Sequence, residues 1–222
     1  MKKTTMLVGC LVGAIVLVHL AIESQAQTAP ASNIKRYQIN SAVVEFALAG
    51  AQNGTETLYF TDYGVREAKY TTSEIKLAGI TQKTNKVTIL EREMIYSIDL
   101  DKRTGTKMKN PMYEKFVGKD ATEVGEKMMK SMGAQKTGTE VILDKTCDVW
   151  EVKNLGSKTW IWNGIPLKTE TKMMGMQMAI TATQIEAEAN IPKEKFEIPA
   201  GVKMTEALQG PKMLDAMKKR PQ

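Results

Sequence analysis

The chain has 222 residues, of which 42% are hydrophobic and 25% charged, and its formal net charge is +6. One histidine, His19, and two cysteines, Cys10 and Cys147, leave little material for imidazole catalysis, a histidine-built zinc site or a disulfide framework. The basic excess is interleaved with acids, as in Glu91-Arg92-Glu93 and Asp99-Leu100-Asp101-Lys102-Arg103. That pattern excludes the continuous basic stripe that tracks nucleic-acid phosphates.

At the N-terminus, Lys2 and Lys3 precede an apolar run from Met6 to Leu20, and Ser24 and Ala26 place small residues at −3 and −1 of a cleavage site. Residues 1–26 are therefore read as a signal peptide cleaved after Ala26, which predicts a periplasmic or cell-envelope location. The apolar run is shorter than the ~20 residues that cross a bilayer. Leu7-Val8-Gly9-Cys10 also fits a lipoprotein processing box, but most of the apolar run follows Cys10 instead of preceding it. Lipidation of Cys10 stays open as the alternative.

Cleavage after Ala26 removes His19, so a Ser-His-Asp or Cys-His mechanism is excluded from the mature chain. It leaves one cysteine, Cys147, which cannot close an intrachain disulfide and is read as a buried small apolar residue. Residues 27–33 are small and polar and read as a flexible lead-in. Residues 34–222 are expected to form a single β-rich domain.

Period-two alternation dominates this domain and predicts strands with one buried face. Phe46 shares a face with Val44 and Leu48, Leu58 with Phe60, Tyr96 with Ile98 and Leu100, and Trp150 with Val152. Thr84-Asn85-Lys86 and Asp101 to Gly105 are expected to be reversals. Between 111 and 133 the period changes to that of a helical pair. Asn110 and Pro111 open the first helix and Gly118 ends it. Asp120 to Glu123 resembles a capping box, and Val124, Met128 and Met132 recur every four residues until Gly133.

Asn163-Gly164 between two apolar runs predicts a type I′ hairpin, with Trp160 and Trp162 on one face and Pro166 at the start or edge of the return strand. Residues 172–180 carry methionine at Met173, Met174, Met176 and Met178. Read as one strand, they set Met174, Met176, Met178 and Ile180 in a stripe. Such thioethers conform to apolar ligands of varied shape, fill a core, or hold Cu(I). A short helix is expected over 204–208 and another after Pro211. Glu186 and Glu188 read as a solvated face, and Lys218-Lys219-Arg220 as a solvated basic tail. There is no glycine-rich phosphate loop or metal-binding Asp loop in the sequence.

Several segments resemble the bacterial outer-membrane lipoprotein-carrier-like superfamily, in particular one of its less characterised exported branches. They are Cys147-Asp148-Val149-Trp150-Glu151-Val152, Trp160-Ile161-Trp162-Asn163-Gly164-Ile165-Pro166-Leu167-Lys168, and Ile191-Pro192 through Phe196-Glu197-Ile198-Pro199. Upstream, Gly54 to Phe60 and Asp62-Tyr63-Gly64 extend the likeness. The resemblance implies a mainly β (α+β) fold: a curved antiparallel sheet forming an unclosed barrel, covered by helices, with an apolar cavity for acyl chains.

The expected function is non-catalytic binding or carriage of a lipid, acyl chain or lipidated protein, with no cofactor, no nucleic-acid partner, and transient contact with the membrane or envelope proteins. The candidate cavity residues are Phe46, Leu58, Phe60, Tyr96, Ile98, Trp150, Trp160, Trp162, Met174, Met176, Met178 and Ile180. An envelope interaction module with a solidly packed core and a methionine-rich Cu(I)-binding protein stand as alternatives.

Overall fold

The computed structural model describes residues 34–77, 80–173 and 175–207. The signal peptide, the lead-in, Met174, the helix expected after Pro211 and the basic tail lie outside the described residues.

Alternating sequence becomes two antiparallel meanders. The first runs β1 (Ala42–Gly50), β2 (Gln52–Thr61), β3 (Arg66–Leu77), β4 (Ile80–Glu91), β5 (Met94–Asp99) and β6 (Thr104–Lys109). The second runs β7 (Gln135–Ile142), β8 (Lys145–Val152), β9 (Ser157–Trp162), β10 (Ile165–Met173) and β11 (Met176–Ala187). Pairing of β1 with β11 fuses them, and a short β12 (Lys203–Glu206) adds to β6. The result is one twelve-stranded curved sheet, ordered β12-β6-β5-β4-β3-β2-β1-β11-β10-β9-β8-β7 and not closed into a barrel. Every pairing is antiparallel except β12 with β6, which is parallel.

The connection between the meanders holds α1 (Tyr113–Phe116) and α2 (Ala121–Ser131). Asp120 accepts the Glu123 backbone N–H at 3.0 Å, which satisfies one of the free donors of the α2 N-terminus. Asn110 Oδ1 accepts the Met112 N–H at 3.0 Å, but it holds a turn and not the helix: α1 begins at Tyr113, later than Asn110 and Pro111 predict, with no side-chain cap.

Three further turn and helix expectations are corrected. Thr84-Asn85-Lys86 lies inside β4, because β3 and β5 pair with that strand from either side and leave no room for a reversal. The methionine segment is a hairpin: Met173 pairs with Met176 across a turn in which Gly175 has φ 77. Residues 203–206 are strand, because the open edge of β6 supplies hydrogen-bond partners that outweigh a weak helical preference.

The type I′ hairpin is present, with Asn163 at φ 49 and Gly164 at φ 83. Pro166 is the second residue of β10 and sits at a bulge, where its missing N–H is harmless. Gly50, at φ 99, ends β1; a Cβ there would stand 2.0 Å from the Gln177 carbonyl oxygen.

Apolar side chains separate into clusters. The first joins Tyr37, Val44, Phe46, Leu58, Phe60, Cys147, Val149, Trp160, Ile165 and Leu167 across both meanders. The second joins Ala68, Val87, Ile89, Ile98 and Phe196. The third sets Ala134, Trp150 and Val152 against Met129 of α2. Cys147 is fully buried, and burial pushes its thiol pKa upward.

Phe60 is fully buried and meets the Tyr37 ring at 4.2 Å. Phe60→Ala is expected to lower stability by about 3–5 kcal/mol in urea unfolding. Val141→Ala on the exposed face of β7 is expected to change it by no more than about 0.5 kcal/mol.

Candidate functional site

A curved sheet that does not close leaves part of its face uncovered, and the helical connection spans that opening. Between α2 and the sheet lies a groove of about 740 Å³. Phe116, Met128, Met129 and Met132 line it from the helical side, and Trp150, Ile161, Trp162 and Pro166 from β8, β9 and β10. Glu67 and Lys69 of β3 line the same groove, although β3 and β8 are six positions apart in the sheet. Curvature brings them together.

The segment 34–40 crosses this space. The backbone N–H groups of Arg36 and Tyr37 donate to the Tyr63 carbonyl at 2.8 and 3.1 Å, and the Gln38 N–H donates to the Asn163 carbonyl at 3.0 Å. One short stretch thereby ties the 62–64 turn of the first meander to the Asn163-Gly164 turn of the second. Gln38 Nε2 also donates to Thr122 Oγ1 of α2 at 2.7 Å, linking this segment to the helical roof.

A polar cluster is set into the groove wall. Arg36 Nη1 donates to Glu67 Oε2 at 2.7 Å and to the Gly64 carbonyl at 3.3 Å, and Tyr37 Oη donates to the same Glu67 oxygen at 2.7 Å. Glu67 is 9% exposed, so its carboxylate depends on these donors in place of water. Burial, reinforced by the adjacent Glu67 charge, pushes the Tyr37 hydroxyl pKa well above its ordinary value. Burial opposes the Arg36 charge, but Glu67 and Tyr37 together hold its pKa above the ordinary arginine value.

The sequence candidates are distributed unevenly around this groove. Trp150 and Trp162 line it. Phe46, Leu58, Phe60 and Trp160 belong to the first packed cluster, and Trp162 and Ile180 pack against it. Ile98 is in the second cluster with Tyr96 against it. Met176 is 47% exposed and Met178 half-buried, while Met174 lies outside the described residues.

Trp160 is held by its own contacts. Its indole N–H donates to Glu140 Oε2 at 2.8 Å, and Lys158 and Lys168 approach the ring at 4.6 and 4.4 Å from its centroid. That indole hydrogen bond, with one from Lys158, holds the Glu140 carboxyl below the usual range.

Tyr37, Glu67 and Met129 carry no motif that marks them in the sequence, Ile161 stands out only within the family-like segment, and no local motif gives Arg36 a role. Met128 and Met132 were visible as a helical stripe, which is how they come to face the groove. Nothing local marks Arg36 and Glu67, which are separated by 31 positions and meet only through the turn at 62–64.

Among the described residues there is no group of three or more His, Cys, Asp or Glu placed to hold a metal, and no helix is long and apolar enough to cross a membrane.

No protein-family model matches the sequence, and no curated protein matches it. An uncharacterized conserved protein from Thermus thermophilus shares the fold at 5% identity and a TM-score of 0.50, over 78% of this chain and 93% of that one. LprF from Mycobacterium bovis is similar over 69% of this chain and 89% of its own, at 10% identity and a TM-score of 0.32. A putative outer membrane lipoprotein-sorting protein domain from Vibrio parahaemolyticus is similar over 71% and 89%, at 8% identity and a TM-score of 0.32.

Tyr37→Phe is expected to cost about 1–2 kcal/mol at pH 7, because Glu67 loses a buried donor. A phenol with a raised folded pKa contributes stability that is present below the unfolded value of ~10 and is lost as pH rises beyond it. The gap between parent and Tyr37→Phe should therefore narrow above about pH 10, as read from urea midpoints along a pH series.

Proposed function

We propose that the protein is an exported, non-catalytic binding protein that holds the apolar part of a lipid or a lipidated protein in the groove beneath α2. The observation that carries this reading is the groove itself. At about 740 Å³ it falls within the ~300–1,000 Å³ of typical small-ligand sites. Its roof offers three methionines and its wall two tryptophans and an isoleucine, adaptable and rigid apolar surfaces facing each other.

The polar wall complements that surface. Thr146, Asp148, Thr159 and Thr169 line the groove beside the apolar residues, which suits an amphiphile better than a pure hydrocarbon. Within the Arg36–Glu67–Tyr37 cluster the polar groups satisfy one another, so neither Glu67 nor Tyr37 stands as an unpaired general base. Export follows from the signal-peptide pattern of residues 1–26, and the periplasm or envelope is the compartment in which such a ligand would be met.

Burial of each methylene is worth ~0.8 kcal/mol, so lengthening a single-chain ligand by two carbons should tighten binding by roughly tenfold until the groove is filled. Displacement of a fluorescent acyl probe by a series of alkyl chains measures this. Met128→Gln, which keeps helix propensity but places an amide in the roof, should weaken every chain by about fivefold. Purified protein that carries no amphiphile in native mass spectrometry and binds all chain lengths equally weakly would refute the reading.

A further inference from the structure

The groove has a neighbour. A cavity of about 310 Å³ shares Arg36, Phe116 and Met128 with it, so the two spaces meet at a common wall. The smaller cavity extends under α1, and its lining includes two arginines, Arg36 and Arg92, with Asn110 and Tyr113. Its lining among the described residues contains no aspartate or glutamate.

The two arginines differ in what they already hold. Arg36 gives one nitrogen to Glu67 and Gly64, so its charge is matched on the groove side. Arg92 has no salt bridge or side-chain hydrogen bond among the described residues. Its backbone is fixed instead, at φ 51, with its N–H donating to the Val65 carbonyl at 3.0 Å. Arg92, itself exposed to solvent and without a side-chain partner among the described residues, therefore lines a small chamber whose other walls are largely apolar, and that chamber adjoins a groove of acyl-chain size across Arg36, Phe116 and Met128.

We propose that this chamber receives the anionic headgroup of the amphiphile whose chain lies in the larger groove, with Arg92 supplying the charge. The proposal rests on the reading of the groove as an acyl site. An amphiphile fits better than a free anion, because Phe116 and Met128 offer a small ion nothing while they continue the apolar path of a chain. A phosphate and a carboxylate headgroup share the required chemistry.

The test compares dodecyl phosphate, 1-dodecanol and inorganic phosphate on the full chain, by displacement of a fluorescent acyl probe at pH 7.5 and low salt. Dodecyl phosphate should bind about tenfold more tightly than dodecanol, as one charge-assisted contact at a solvent-accessible site supports. Arg92→Gln should bring it down to dodecanol's affinity and leave dodecanol unchanged, while Arg92→Lys should keep most of the preference. Inorganic phosphate should not displace the probe.

Equal binding of the two dodecyl ligands, or a preference that survives Arg92→Gln, would overturn the headgroup chamber and leave the acyl groove standing. Displacement by inorganic phosphate at the concentrations effective for dodecyl phosphate would overturn the amphiphile as occupant. Failure of both dodecyl ligands to bind would overturn this inference and the acyl reading together.

Discussion

The architecture depends on one ladder, the antiparallel pairing of β1 with β11. It brings Ala42 opposite Ala187 and Leu48 opposite Ile180, joining residues that lie far apart in the chain. Most other pairings are hairpins or short connections that close at little entropic cost, whereas this one must close most of the domain before its contacts reward it. Its strength comes from the inward residues: Ala42, Val44, Phe46 and Leu48 are all buried. A bulge between Glu45 and Phe46 allows the ladder to bend without losing that burial. Without the ladder, the two meanders would each present an apolar face with nothing to cover it.

The groove is a consequence of that same join. A sheet this long curls, and the curl sets β3 across from β8 and β9, with the segment 34–40 strung between the turns of the two halves. The helical connection covers the remaining opening. Its hold is light, since Val124 is buried on α2 but Met128 and Met129 are only half-buried and Met132 is 46% exposed. A helix held by so few buried side chains among those described is expected to open at lower cost than the sheet beneath it.

Much of this was legible in the sequence wherever a local rule had no competitor. Asn163-Gly164 specified its hairpin because both positions need positive φ, and Asp120 specified the start of α2 because its carboxylate reaches a free N–H. Legibility failed where tertiary pairing decided. Asn85 looks like a turn residue, yet it is paired within β4 and gives its amide to Asp101 Oδ1 at 2.8 Å. The methionine run read as a stripe because alternation is blind to a two-residue reversal, and Gly175 was the only hint of one. Within the site, Trp150 and Trp162 were visible as large rings at strand spacing. Arg36, Tyr37 and Glu67 were not, because two charges and a phenol far apart in the chain acquire meaning only when a turn brings them into one buried contact.

The central claim, that an acyl chain lies between α2 and the tryptophan-bearing wall, has a direct optical test. All three tryptophans of the chain, Trp150, Trp160 and Trp162, lie on that side of the molecule, and Trp160→Phe removes the one that does not line the groove. Titration of this variant with a fatty acid brominated along its chain should quench the remaining indole fluorescence saturably, and an unbrominated chain of equal length should reverse it. Saturable binding of the brominated acid with no quenching would place the chain elsewhere and contradict the account.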